Sequence, residues 1–456
     1  MSRRNTNQRL ALALAFACAV AFAGSAGAAP PLEQVSAGAK ADVGQISVSG
    51  ISSGGFMAHQ FHVAHSAHVM GAGIVAGGPY YCAEGSIAAA VTKCSQFVML
   101  ECKRLGINDA WCGTADLAPK TAGEIEQAAT RSFDEARRQE TRGNISKLEN
   151  LKNDQVYLFS GAYDSLVPQG VMDSLFHFYT DADKAGLAPD NIHYSRTFPA
   201  PHTMVRDSFS KPAGSAVGTC APAGSKSLGK STFIDDCEAI ARQQQAQSSC
   251  ICAVPSESGT ATAEPCPPSD KQALCRDLRD VDLAGAILTR IYGAQVLKAG
   301  RVPVPGGQVQ AFDQKKVFDK IAYHPFNARL NAAMAKEGYI FIPKNCRDGR
   351  SCRLHVAFHG CLQGGPTGRK VGRAGNLFSQ LAGYNEWAQA NDIIVLYPQV
   401  EPSSPTPMNP QGCWDWWGQD YTHEGYHTRR GAQVRAVAQM INILTGEPKL
   451  LDIPPE

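Results

Sequence analysis

Gly50-Ile51-Ser52-Ser53-Gly54 carries the spacing G-x-S-x-G, which can turn an ordinary serine into a nucleophile. Glycines two residues before and after Ser52 permit a sharp strand-to-helix turn, which lifts the hydroxyl above a sheet at a helix N-terminus. Ser53 is the rival nucleophile, but only Ser52 has glycine at both positions. A serine hydroxyl is inert without a base, and the base needs an acid to fix its tautomer. In hydrolases built on this turn the partners follow in the order Ser, Asp or Glu, His. Asp164, in Gly161-Ala162-Tyr163-Asp164-Ser165-Leu166-Val167-Pro168, and His202, in Phe198-Pro199-Ala200-Pro201-His202, each lie just past an apolar run. Ser52, Asp164 and His202 are therefore the candidate catalytic set.

These residues need a sheet to hold them. Short apolar runs alternate with helix-like stretches, a pattern that calls for a parallel α/β sheet. Strands are expected at Gln45–Ser49, Gly71–Ala76, Val156–Ser160, Ile192–Phe198, Val302–Val304, Tyr339–Ile342, Leu354–Phe358 and Ile393–Tyr397. Helices are expected at Met57–His68, Asn376–Ala390 and Arg429–Leu444. The fold class is α/β, an α/β-hydrolase with a mostly parallel, doubly wound sheet. One donor to the developing oxyanion is the amide after the nucleophile, here Ser53. The other comes from a loop after an earlier strand, often marked His-Gly. Here the matching strand and loop, Leu354–Phe358 followed by His359-Gly360-Cys361, come about 300 residues after the serine. The simplest account is circular permutation, the strands that normally precede the elbow having moved to the C-terminus.

Residues 1–28 read as a secretory signal peptide. Arg3, Arg4 and Arg9 precede an apolar stretch from Leu10 to Phe22, and Ala26-Gly27-Ala28 closes it as an A-x-A site. The run is too short to span a membrane, which needs about 20 residues. Cys18 lacks the leucine and small residues that a lipid anchor would want before it. Removing the leader takes three of the 43 basic residues and no acid, leaving 40 against 41 Asp and Glu, a balance that asks for neither nucleic acid nor anionic lipid. It also takes Cys18, one of 15 cysteines, and the even remainder in an exported chain reads as disulfides. Residues 29–456 are expected to be a single catalytic domain. Within it, 206–280 is a Ser-, Pro-, Gly- and Cys-rich insertion or lid that cannot build a large apolar core.

The runs SGISSGGFM, AGGPYYCA, SGAYDSLVP, APHTM, LHVAFHGCLQ, NDIIVLYPQ and GCWDWWG resemble the single-domain, circularly permuted polyhydroxybutyrate (PHB) depolymerases. The resemblance implies Ser52 as nucleophile, Asp164 as acid, His202 as base, and the amides of Ser53 and Cys361 as oxyanion donors. It implies that Trp414 lines the substrate cleft, and that the substrate is poly(3-hydroxybutyrate) or its oligomers, with no cofactor. The cysteine-rich stretch after His202 departs from the family. The same machinery also suits a feruloyl or acetyl-xylan esterase, and the fold alone suits a silent binding protein. Oligomeric state is left open.

Other groups invite stronger readings. His59, His62, His65 and His68 recur every three residues, but each step falls about 60° short of a full turn. They cannot converge on one ion, and they are expected on a helix surface. His423 and His427 are spaced i,i+4 without a carboxylate-bearing motif, so no metal is expected. Cys250-Ile251-Cys252 reads as disulfide chemistry. Cys82–Cys94 and Cys346–Cys352 are close enough for local pairing, Cys220–Cys237 would close the base of the insertion, and Cys361–Cys413 would join the HGC and GCW motifs.

Overall fold

The computed structural model describes residues 28–98, 116–198, 200–206, 282–297, 300–304, 308–321, 332–365, 377–404, 408–418 and 425–453, with short strands at 234–236, 251–254 and 262–265. The leader and nearly all of the insertion, including Cys220, Cys237 and the side chains of Cys250 and Cys252, lie outside the described residues.

Among the described residues there are twelve strands, in chain order β1 Lys40–Ile51, β2 Val69–Val75, β3 Gln155–Phe159, β4 Ile192–Ser195, β5 Met204–Arg206, β6 Ile234–Asp236, β7 Ile251–Val254, β8 Thr262–Pro265, β9 Gln310–Asp313, β10 Glu337–Phe341, β11 Ser351–Phe358 and β12 Ile393–Tyr397. Eight form one sheet in the order β4-β3-β2-β1-β11-β12-β10-β9, while β5-β6 and β7-β8 are separate pairs. From β4 to β12 every pairing is parallel, and β10 runs antiparallel to both neighbours. This is an α/β-hydrolase sheet.

The central strands are mostly apolar because both faces of the sheet are covered. Side chains alternate with period two, so Ile46, Val48, Leu354, Val356, Ile394 and Leu396 fill one core. Ile51, Ala357, Ile393, Val395 and Tyr397 fill the other. On the first face lie α1 (Ser53–Ala64), α2 (Ala122–Thr141), α3 (Gln169–Thr180) and α6 (Ala432–Thr445), and on the second α4 (Leu283–Tyr292) and α5 (Tyr384–Asn391).

Three expectations are corrected. Val302–Val304 is not a strand: Pro303 has no N–H for a ladder, and the Val302 amide donates instead to the carbonyl of Glu386 (3.2 Å). The sheet is completed by the short edge strand β9. The helix expected over Asn376–Ala390 is broken into Leu377–Leu381 and α5 by Gly383, at φ 90°. The histidines after the elbow are not a surface row. His59, His62 and His65 are buried, because α1 is enclosed on all sides, and only His68, past its end, is exposed.

Candidate active site

The elbow begins where β1 ends. Ser52 sits at φ 58°, ψ −126°, a conformation that costs a non-glycine residue about 1–3 kcal/mol. Two backbone bonds hold it: its amide donates to Val75 O (2.9 Å), and its carbonyl accepts from Phe56 N (3.0 Å). Glycine is required on either side by close approach. A Cβ on Gly50 would strike the carbonyl of Gly54, and one on Gly54 would strike the carbonyls of Phe358 and His359 at the end of β11. The side chain of Ser53 is turned away from the cavity. It is buried, and its Oγ accepts the Trp414 amide at 3.3 Å.

Asp164 and His202 stand on the loops after β3 and β4, and these loops are laced together. Ala162 N donates to Phe198 O (2.8 Å) and Tyr163 N to Ala200 O (3.1 Å). The lacing brings His202 Nδ1 to 2.8 Å from Asp164 Oδ2, with the carboxylate wholly buried. Asp164 Oδ1 accepts the amides of Leu166 and Val167, each at 2.9 Å, which fixes the orientation of the carboxylate. A carboxylate oxygen accepting at Nδ1 places the proton on that nitrogen and leaves Nε2 as the acceptor. His202 and Ser52 line the same cavity.

The third wall comes from the far end of the chain. The parallel pairing of β1 with β11 sets Gly50 beside Phe358, and so brings the His359-Gly360-Cys361 loop to Ser52. A Cβ on Gly360 would lie 3.2 Å from that of Ser52. Cys361 is bonded to Cys413, and the Leu362 amide donates to Gln411 O (2.8 Å). Opposite this loop, Ser53 opens α1, and the first amides of a helix have no intrahelical acceptor.

The cavity measures about 300 Å³. Its apolar wall includes Phe56, Ile87, Phe97, Leu166, Val167, Leu362, Met408, Trp416 and Trp417, and no Asp, Glu, Lys or Arg is among its described lining.

No family model matches the chain. It is 31% identical over 406 residues to a poly(3-hydroxybutyrate) depolymerase of Delftia acidovorans, covering 88% of this chain and 60% of that protein. It is 28% identical over 383 residues to a polyhydroxybutyrate depolymerase of Talaromyces funiculosus, covering 82% of each. Both of these relatives are PHB depolymerases, and it is to them that the chain is similar. Its fold matches the crystal structure of the PHB depolymerase from Penicillium funiculosum with TM-score 0.57, at 24% identity over 92% of this chain and 99% of that one. A serine-to-alanine PHB depolymerase complexed with an R3HB trimer matches with TM-score 0.56, at the same identity and coverage. The chain spans 60% of the length of the Delftia relative, the first of the two by identity.

One site expectation is corrected. Trp414 is not on the cavity. It is fully buried, with its ring against Phe358 and His359. The cavity wall is made by Trp416, stacked on Phe56 with ring centroids 4.1 Å apart, and by Trp417 set edge-on to Trp416. The turn decides this: Asp415 N donates to Gln433 Oε1 (2.8 Å) and Asp415 O accepts from Gln60 Nε2 (3.0 Å). Three clustered tryptophans were visible in the sequence, but nothing in their spacing tells which of them that turn points outward.

The remaining candidates have their own partners. His62 bonds Asp154 (2.9 Å) and Tyr179 (2.8 Å), and His427 bonds Glu135 (3.2 Å), while His423 lies outside the described residues. Glu126, His177 and Asp181 come within metal-binding reach of one another, but Lys184 Nζ lies 2.5 Å from Glu126 and 2.8 Å from Asp181. The ammonium already supplies the positive charge there.

Proposed function

We propose that the protein is an exported serine esterase that hydrolyses ester bonds of poly(3-hydroxybutyrate) or its oligomers. The observation that carries this reading is the uncharged, largely apolar cavity shared by Ser52 and His202, with Asp164 behind the histidine. A neutral aliphatic polyester suits such a wall, whereas a sugar-linked ester would want polar partners along it. Both curated relatives are named as depolymerases of this polymer, and one structural neighbour is complexed with an R3HB trimer.

In the mechanism His202 Nε2 takes the proton of Ser52 Oγ as the oxygen bonds to the ester carbonyl carbon. The amides of Ser53 and Cys361 stabilise the oxyanion. Collapse breaks the bond to the alkoxy oxygen, which leaves with the proton from His202. Water, deprotonated by the same nitrogen, then releases the acid and restores Ser52. Asp164 keeps the Nδ1–H tautomer and stabilises the imidazolium. Trp416 and Trp417 form the apolar floor.

Export is supported by the residues 1–28 leader pattern and by three disulfides, Cys82–Cys94, Cys346–Cys352 and Cys361–Cys413. No helix among the described residues is long and apolar enough to cross a membrane. Circular permutation is supported by β11 lying beside β1, and by the packing of the N-terminal turn Leu32–Val35 against α6, which sets the two described ends of the chain together. We further assign 29–456 to one catalytic domain, with 206–280 as its insertion.

The experiment is release of 3-hydroxybutyrate from polymer films by the purified protein, with feruloylated and acetylated xylan in parallel. Soluble hydroxyacid from the film and neither ferulate nor acetate from xylan is the expected result. The reverse pattern would move the substrate to plant polysaccharide. Failure of a fluorophosphonate to label Ser52 would remove the esterase reading altogether.

A further inference from the structure

The disulfide at Cys361 fixes a sulfur atom, but it does not set the direction of the Cys361 amide, because the peptide plane can still rotate about its flanking single bonds. Something else must hold that plane. The Gly360–Cys361 peptide is gripped at its carbonyl: Gly360 O is 2.7 Å from His359 Nδ1 and 3.3 Å from the Gln363 amide, which donates to it. The amide of Gly360 is also taken, donating to Gln363 Oε1 at 2.6 Å. This leaves Cys361 N–H as the donor of that loop able to face substrate.

The protonation of His359 follows from its other nitrogen. Nε2 lies 3.1 Å from the Val400 amide, which can only donate, so Nε2 is an acceptor and carries no proton. Nδ1 must then hold the proton and donate it to Gly360 O. The ring is fully buried, with Phe378 and Trp414 nearby and no room for a Cβ on Gly364. Burial lowers its pKa to about 4, so it is neutral at ordinary working pH.

We propose that His359 is a positioning residue for ester hydrolysis, holding Gly360 O inward so that the Cys361 amide points at the oxyanion. In a trans peptide the C=O and N–H point in opposite directions. Anchoring the carbonyl on the buried side therefore aims the N–H toward the cavity, which Gly360 and Cys361 line and His359 does not. Gln363 acts with it by occupying the competing amide. The inference rests on the reading of Ser52 as nucleophile and Cys361 N–H as oxyanion donor.

The test compares His359→Asn, His359→Gln and His359→Leu with wild type. The readouts are kcat and KM on p-nitrophenyl butyrate and the affinity of a boronic acid that forms a tetrahedral adduct with Ser52. Asn places an amide donor where Nδ1 stands, Gln places one where Nε2 stands, and Leu supplies none. Loss of one oxyanion donor typically costs about 10²–10³ in kcat. His359→Leu is expected to lose kcat by about that factor, to keep KM within about threefold, and to lose boronate affinity in parallel. His359→Asn is expected to recover at least about tenfold of the loss, and His359→Gln is not. A folded His359→Leu protein with kcat and boronate affinity near wild type would overturn the proposal. If the leucine variant does not fold, equal kcat in the Asn and Gln variants would overturn it. The tautomer is read on the wild type by ¹⁵N NMR of labelled histidines, where a proton on Nε2 of His359 would also overturn it. Wild type that neither turns over ester nor reacts at Ser52 means that the esterase reading has failed. Active wild type with indifferent His359 variants means that only the positioning role has.

Discussion

Ser52 and Ser53 are neighbours with the same side chain, and the backbone gives them different tasks. Ser52 is strained at positive φ beside the cavity, while Ser53 is buried with its Oγ spent on the Trp414 amide. Ser52→Ala should therefore lose kcat by on the order of 10⁶, because no neighbouring hydroxyl can replace it. Ser53→Ala keeps its main-chain amide and should stay within about tenfold of wild type. It should nevertheless melt lower, since the stranded Trp414 donor costs about 1–3 kcal/mol. Steady-state kinetics beside thermal melts separate the two, and an inactive Ser53→Ala with an active Ser52→Ala would reverse the roles. Asp164→Asn tests the next link. The backbone amides of Leu166 and Val167 can still be accepted, but His202 would be held in the wrong tautomer, and kcat should fall by about 10⁴ at neutral pH. Retained activity in that variant would remove Asp164 from the mechanism.

Strand β1 is held to β11 by more than its ladder. His355, on β11, bonds Ser47 through Nδ1 and Ser49 through Nε2, both at 2.7 Å, and Tyr292 and Tyr384 complete the buried chain through the same serines. A slip of one residue would turn these polar groups into the opposite apolar core, so the network specifies register. That register is what carries the oxyanion loop to Ser52. The disulfide Cys361–Cys413 then ties the loop to the turn bearing Trp416 and Trp417. Replacing both cysteines with serine should lower kcat at least tenfold while far-UV circular dichroism stays unchanged, because the sheet does not depend on this bond. A double variant with wild-type kcat would show that the hydrogen bonds of Gly360 and Leu362 suffice. In the sequence the HGC and GCW motifs were legible as partners, but the pin at His355 was not. A histidine in an apolar strand carries no mark of what lies across from it.

The molecule as a whole stores a liability to acid. Burial, the largest cause in each case, lowers His59, His65 and His355 to about 3 and His359 to about 4. Their unfolded value is near 6.5, so the unfolded chain binds more protons between those limits. The stability these four groups supply as neutral rings is complete above about pH 6.5. It is lost as pH falls toward 4 and below. Melting temperature measured from pH 7.5 down to pH 4 should therefore fall steeply below about 6.5. A flat profile across that window would mean that these rings are solvated in the native protein.

The amino-acid sequence by itself determined the strand-to-helix turn at Ser52, the α/β character and the local disulfides. Each is written in short-range terms: glycines that a tight turn cannot do without, apolar runs of strand length, cysteines a few residues apart. Tertiary structure decided the rest. Three of the four histidines after the elbow are core residues because helices and sheet close over α1 on every side, which a helical step of three cannot report. Trp414 faces inward and Trp416 and Trp417 outward because Gln60 and Gln433, from distant helices, capture the backbone of Asp415. The direction of the Cys361 amide is set by a histidine whose tautomer depends on the Val400 backbone, 41 residues away. Side-chain facing and protonation are properties of what packs against a segment, and that partner is supplied only when the chain has folded.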